Sequence, residues 1–244
     1  MMNNLQTLNL LFRHKAMLCA ALLAISAAHS HAQSVCTSDG QPRPAQLMER
    51  FINADCETCW TDPATPTART GVIALDWVVP GSLGDEAALS AVAIRDAQWR
   101  LEALGDAAPA ASSMRTQPIK GIRGSRLRVA HGLALNDYVG ASIELKPIPA
   151  AAKNQEWTSW LALVETLPPG TEGSPVERNL VRNVFQTPWD GRKQLSKKEL
   201  NQFIETRAMT TAPAVNPNRL RVVGWVEDEK GQLLAAAQSR CIAP

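Results

Sequence analysis

The stretch Asp55-Cys56-Glu57-Thr58-Cys59-Trp60 decides how the rest of this chain is interpreted. It follows an apolar segment at residues 46–52, which predicts a β-strand even though Glu49 and Arg50 interrupt it. Two cysteines separated by two residues can form a redox site, a local structural disulfide or half of a zinc site. Which of the three applies depends on the compartment, the neighbouring charges and the elements that follow.

Residues 1–32 have the three parts of a secretory signal peptide. Arg13 and Lys15 give a basic region, residues 16–28 are apolar, and Ser30-His31-Ala32 is a small-x-small cleavage site. The apolar part is shorter than the about 20 residues that a transmembrane helix needs. We therefore expect cleavage after Ala32, a mature chain with no membrane span, and a periplasmic or secreted location.

Removal of the signal peptide changes the charge of the chain. The 25 Lys and Arg residues fall to 23 because Arg13 and Lys15 leave, and they then equal the 23 Asp and Glu residues. A mature chain without net charge argues against nucleic acid as a partner. His131 is the one histidine that remains.

The mature chain keeps Cys36, Cys56, Cys59 and Cys241, and cysteines in an exported protein predict disulfides. Cys56 and Cys59 are close enough to pair locally, which leaves Cys36 to pair with Cys241. A bridge over so long a loop contributes roughly 4–5 kcal/mol in the chain-entropy model. The alternatives are pairings that join Cys56 or Cys59 to the two outer cysteines.

The first half of the mature chain alternates strands and one helix. Residues 71–79 are almost continuously apolar, which is typical of a central strand buried on both faces. A helix is expected over residues 85–104, capped by Asp85 and ended by Gly105. The loop Thr116-Gln117-Pro118 follows it.

The second half is predicted to be mostly antiparallel β. A capping-box pattern at residues 196–199 predicts one short helix that continues to Ile204. Alternating and apolar runs predict the strands, and the segment 228–231 predicts the turn of a final hairpin. The expected strands are 126–135, 141–146, 156–166, 180–185, 220–226 and 232–240.

These elements resemble a secreted thioredoxin-like domain family of unknown function that is common in proteobacteria. The resemblance extends over most of residues 46–240, and its motifs occur in the same order as in the family. The matching segments are residues 49–59, Ala74-Leu75-Asp76-Trp77, residues 115–118, Asn179-Leu180-Val181-Arg182 and residues 231–237. Trp60-Thr61 depart from the family pattern, which has two prolines there, and Asp55 replaces a glycine.

The resemblance implies an α/β fold. After the signal peptide at 1–32, it implies a thioredoxin-like core at 33–125 and a mostly antiparallel β region at 126–244 packed on that core. It further implies that Cys56 attacks, that Cys59 resolves, and that a cis-proline loop at Pro118 holds an extended partner peptide opposite the sulfurs.

The residues around the cysteines count against strong redox activity. Asp55 and Glu57 flank Cys56, and negative charge disfavours a thiolate. The prolines and threonines of residues 61–70 make a poor helix, so its dipole is not there to stabilise a thiolate. A high thiol pKa favours the disulfide and gives a low reduction potential.

Two functions therefore remain open from the sequence. One is a thiol–disulfide oxidoreductase whose partners are extended peptides or protein thiols. The other is a non-catalytic envelope protein in which the cysteines form only structural disulfides. Asp76 is a further candidate, either as a proton shuttle for Cys59 or as a hydrogen-bonded residue at a strand end. No cofactor is expected, and the cysteines with His131 match a zinc site poorly.

Overall fold

The computed structural model describes residues 36–190, 192, 201–212 and 215–241. Strands contain far more of these residues than helices do. The two α-helices of this part of the chain are α1 Glu57–Trp60 and α2 Arg95–Leu104. The strands are β1 Cys36–Thr37, β2 Gln46–Asn53, β3 Val72–Val79, β4 Ser112–Pro118, β5 Arg126–Leu135, β6 Tyr138–Lys146, β7 Glu156–Leu167, β8 Arg178–Asp190, β9 Phe203–Thr210, β10 Leu220–Glu227 and β11 Leu233–Gln238.

The strands form a large sheet and a small sheet. The large sheet has seven strands in the order β11-β10-β7-β8-β3-β2-β4, and the small sheet has four in the order β1-β5-β6-β9. Strand β3 is parallel to both of its neighbours, β2 and β8. The other neighbouring pairs are antiparallel. The first and second halves of the chain therefore both contribute strands to the large sheet.

The expected α/β thioredoxin-like fold is wrong, because the protein is mostly β and is built from two sheets. The α/β prediction needed helices to cover the sheet. The helix that begins at Glu57 ends after one turn, where the proline-containing segment 61–70 follows it. The small sheet, and not a helix, covers one face of the large sheet.

The two sheets pack against each other through apolar side chains. Val129 and Ile143 of the small sheet share a buried cluster with Leu161, Leu163 and Val222 of the large sheet. Gly224 lies at the closest approach, since a Cβ atom there would come 2.5 Å from Val129 Cγ1 and 2.8 Å from Ile143 Cδ1. A larger residue at this position would require the Val129 and Ile143 side chains to shift.

Helix α2 packs on the large sheet and begins ten residues later than Asp85. Ala97 and Leu101 are buried with Phe51 and Trp77 in a second apolar cluster. The predicted apolar stripe starts only at Ile94, and the residues before it form two 3₁₀ turns. The predicted end is confirmed, because Gly105 adopts a left-handed conformation with φ 72°.

A buried ionic group lies under α2, and we call Glu49, Arg100 and Glu227 the Arg100 cluster. Arg100 donates to Glu49 Oε1 at 2.8 Å and to Glu227 Oε1 at 2.7 Å, and its side chain is fully buried. Its guanidinium carbon lies 4.7 Å from the ring centroid of Trp160 and 5.2 Å from that of Trp225. The surrounding carboxylates raise the pKa of Arg100 despite its burial.

The antiparallel pair β5–β6 and the hairpin β10–β11 confirm the predictions for those segments. The expected signal peptide at 1–32 lies outside the described residues, as do residues 196–200 of the expected short helix. Phe203 and Ile204, at its predicted end, belong to β9. No helix in the described part of the chain has the length and apolar character needed to cross a bilayer.

Candidate functional site

Cys56 and Cys59 form a disulfide at the end of β2, as the sequence predicts. Cys56 lies just before α1 and Cys59 lies within it. The backbone N–H of Cys56 donates to the carbonyl of Asn53 at 2.9 Å, so the turn between β2 and α1 is fixed. Both cysteines are partly exposed, which leaves the disulfide open to exchange.

The surroundings of Cys56 are acidic. The Asp55 carboxylate accepts hydrogen bonds from the backbone N–H and the hydroxyl of Ser82, both at 2.8 Å. Desolvation opposes the shift, but the hydrogen bonds from Ser82 and Leu83 lower the pKa of Asp55 below its usual value. Asp55 and Glu57 flank Cys56 in the chain, and negative charge near a thiol disfavours its thiolate.

Asp76 is the centre of a buried ionic group, and we call Arg50, Asp76 and Arg178 the Asp76 cluster. Arg50 Nη2 lies 2.6 Å from Asp76 Oδ2, and Arg178 Nη1 lies 3.3 Å from Asp76 Oδ1. The backbone N–H of Asn179 also donates to Asp76 at 2.6 Å. Both carboxylate oxygens are therefore engaged, and Asp76 acts as the counter-ion of two arginines.

Arg178 connects this cluster to the cysteines. Its Nη2 donates to the carbonyl of Cys59 at 3.2 Å and to the carbonyl of Trp60 at 2.8 Å. Its guanidinium carbon lies 5.0 Å from the Trp60 ring centroid. Burial lowers the pKa of Arg178, Asp76 raises it, and Arg50 lowers it further. A buried cation thus lies beneath the backbone of Cys59.

A cleft of about 710 Å³ opens beside Cys59. Arg50 and Arg178 contribute to its lining, as do Ser112, Ser113 and Met114 from β4. Cys59 belongs to this lining, whereas Cys56 does not. The cleft is large enough for a peptide segment or a small disulfide, and it offers cationic, hydroxyl and thioether groups beside Cys59.

Pro118 does not lie near the cysteines. In the antiparallel register of β2 and β4, Ser112 pairs with Ile52 and Pro118 pairs with Gln46. Pro118 is therefore about 20 Å along β4 from the end near the cleft. The cis peptide found in the described residues is Lys146–Pro147. The role implied for Pro118 is excluded by this placement, and the start of β4 faces the cleft.

The sequence missed Arg50 and Arg178 as site residues. The signal for Arg50 was a charged residue in the middle of an apolar strand, since a charge is buried only with a partner. Arg178 carried no comparable signal, because its partner Asp76 lies 102 residues away.

Cys36 and Cys241 form the second predicted disulfide. A ring nitrogen of His131 lies within 4.8 Å of both sulfurs, but sulfurs joined to each other are not free to ligate a metal. His131 is 5% exposed, and burial lowers its pKa. The disulfide therefore has a structural role, and it holds Cys241 to β1, which pairs with β5.

No family model and no curated protein matches the chain. A solved structure, HBP35 of Porphyromonas gingivalis, is similar at 8% sequence identity with a TM-score of 0.47. The similarity covers 83% of this chain and 77% of that chain. The resemblance to a secreted family stays a prediction.

Proposed function

We propose that the protein is an exported thiol–disulfide exchange protein that works through Cys56 and Cys59. The observation that carries the proposal is the position of Cys59 in the wall of an open cleft. The outer disulfide differs, because Cys36 is 3% exposed in a strand pair although its partner Cys241 is exposed.

The reaction proceeds in the reducing direction. One thiolate of the reduced pair attacks a substrate disulfide, so that a mixed disulfide forms and a substrate thiolate leaves. The second cysteine then attacks the protein sulfur of the mixed disulfide. This step forms the Cys56–Cys59 bond and releases the second substrate thiol with two electrons transferred. A partner dithiol regenerates the reduced protein. The acidic neighbours of Cys56 favour its disulfide and support this direction.

Insulin reduction in the presence of a dithiol tests the exchange function. We expect the wild type to accelerate precipitation of the insulin B chain, and the double variant Cys56→Ser/Cys59→Ser to show only the background rate. Circular dichroism confirms that the variant is folded. Equal rates for the two proteins would contradict the proposal.

Export is tested separately by N-terminal sequencing of the protein from the cell envelope. A mature chain that begins at Gln33 is expected. An N-terminus at Met1 in a cytoplasmic fraction would contradict export.

A non-catalytic envelope protein is the second candidate. The hydrogen bonds from Arg178 to the Cys59 and Trp60 carbonyls favour it, because they fix the segment that the disulfide closes. On this reading the double cysteine variant unfolds at lower temperature, and the wild type does not reduce insulin. The same pair of proteins therefore separates the two candidates.

A further inference from the structure

We propose that Cys59, and not Cys56, is the attacking thiol, and that the cleft binds a disulfide with a carboxylate close to its sulfur. This inference rests on the proposed function and reverses the order that the sequence resemblance implies.

The two cysteines differ in their position relative to the cleft. Both are partly exposed, and Cys59 packs against the apolar cluster of Ile52 and Trp60 and also lines the cleft, whereas Cys56 is not part of the lining. A disulfide held in the cleft therefore lies beside Cys59. In the reverse reaction, a thiolate in the cleft attacks the same sulfur, and so both directions pass through a mixed disulfide on Cys59.

The charged groups near the two cysteines also differ. The buried guanidinium of Arg178 donates to the Cys59 carbonyl, whereas Cys56 lies between Asp55 and Glu57 in the chain. A nearby cation favours a thiolate and nearby carboxylates disfavour it. Asp62 is the acidic group that lines the same cleft, and its exposed position allows water to screen it. The local charge therefore favours the Cys59 thiolate.

The cleft lining indicates the charge of the substrate. The Asp76 cluster has two guanidinium groups and one carboxylate, and Asp62 in the cleft also acts on the charge of Arg178. Because Asp62 is exposed, water screens it, and an excess of positive charge remains at the buried cluster. Arg50 is 4% exposed, and it lines the cleft together with Arg178. A buried excess of positive charge is costly unless an anion approaches it. A carboxylate on the substrate supplies that anion.

Each bond that forms in the proposed exchange is matched by one that breaks. The Cys59 thiolate attacks the substrate sulfur, a Cys59–substrate disulfide forms, and the other half of the substrate leaves as a thiolate. The Cys56 thiolate then attacks Cys59 Sγ and expels the carboxylate-bearing thiolate. The dithiol partner named above returns the two electrons.

Two single variants test the order of attack. Cys56→Ser leaves Cys59 as the free thiol, and Cys59→Ser leaves Cys56. The probes are dithiobis(nitrobenzoate), which carries carboxylates, and dithiodipyridine, which is neutral in the same pH range. Peptide mapping first establishes that the Cys36–Cys241 disulfide is intact in each variant, and circular dichroism establishes that each is folded.

At neutral pH we expect Cys56→Ser to react with dithiobis(nitrobenzoate) roughly threefold to fivefold faster than Cys59→Ser. A larger thiolate fraction at Cys59 raises its rate, and the weaker nucleophilicity of a more acidic thiol keeps the gain small. The preference for the carboxylate probe over the neutral probe should also be greater in Cys56→Ser, and it should fall with added salt.

Faster reaction of Cys59→Ser, or equal rates for the two variants, would overturn the assignment of Cys59. An equal preference for the two probes in both variants would overturn the carboxylate substrate. Failure of wild-type insulin reduction is a distinct result, since it contradicts the exchange function and leaves the order of the two rate constants unchanged.

Discussion

The Arg100 cluster and the Asp76 cluster lie on opposite faces of the large sheet and begin at adjacent residues of β2. Glu49 reaches Arg100, and Arg50 reaches Asp76, because successive side chains of a strand point to opposite faces. The Arg100 cluster has one cation and two carboxylates, and indole rings cover it. The Asp76 cluster has two cations and one carboxylate, and it borders a cleft. The Arg100 cluster is enclosed and contributes to stability, whereas the Asp76 cluster borders the cleft and places positive charge there.

The largest expected change in the free energy of unfolding comes from the Arg100 cluster. Arg100→Met leaves two buried carboxylates without their cation, and we expect a loss of about 3–5 kcal/mol in the free energy of unfolding. Urea denaturation measures it. Arg95→Met is the matched control on the same helix, since Arg95 is exposed and should change stability by less than about 0.5 kcal/mol. Similar values for both variants would show that the Arg100 cluster contributes little.

A smaller loss in the free energy of unfolding is expected from the Asp76 cluster. Arg178→Met removes the donor to the Cys59 and Trp60 carbonyls, but Asp76 keeps Arg50 as its partner. We expect about 1–3 kcal/mol in urea denaturation. Slower reaction of Cys59 with dithiobis(nitrobenzoate) should accompany it in a Cys56→Ser background. Arg69→Met, an exposed residue of the neighbouring loop, serves as the control. An unchanged rate for Cys59 would show that the Asp76 cluster does not influence the reactivity of this thiol.

The pH dependence of stability isolates a group outside both clusters. Burial holds the pKa of His131 below the usual value of 6.5, so the unfolded chain binds the proton more readily. The stability from neutral His131 is present above pH 6.5 and is lost as the pH falls through its folded pKa. Denaturation midpoints of wild type should therefore fall with acidification more than those of His131→Asn. An equal fall in the two proteins would assign the dependence to another group.

The smallest expected effect is on the reduction potential of the Cys56–Cys59 pair. We expect a value below about −200 mV in a glutathione or dithiothreitol redox buffer. Asp55→Asn/Glu57→Gln should shift it by about 10–20 mV toward more oxidising values, because water screens the charges of these two carboxylates.

Glu86→Gln, at an exposed acid on a neighbouring turn, is the control for this shift. A wild-type potential near about −120 mV, as in strong periplasmic oxidants, would contradict the reducing direction.

Local patterns predicted local structure well. Short motifs predicted the β10–β11 hairpin, the helix end at Gly105 and the Cys56–Cys59 disulfide. The Cys36–Cys241 disulfide was predicted because these two cysteines remained after the local pair was assigned. The fold class did not follow, because it depends on which distant strands pair. Residues 112–118 became a strand through pairing with β2, and their own composition gave only a loop.

The site was half predictable for the same reason. Cys56 and Cys59 are visible as a motif. Glu49 and Arg50 looked like interruptions of a strand, because their partners Arg100 and Asp76 lie 51 and 26 residues away. Periodicity distinguishes inside from outside only for apolar residues, and a buried ion pair has the sequence signature of a solvated one.

The Cys36–Cys241 disulfide joins residues 205 positions apart, and every residue that the structure describes lies within the covalent ring that it closes. A single cut by a protease within that ring opens it without separating the pieces. Such a nicked molecule stays covalently joined until a reductant is added. Electrophoresis after limited proteolysis, with and without reductant, makes this ring visible.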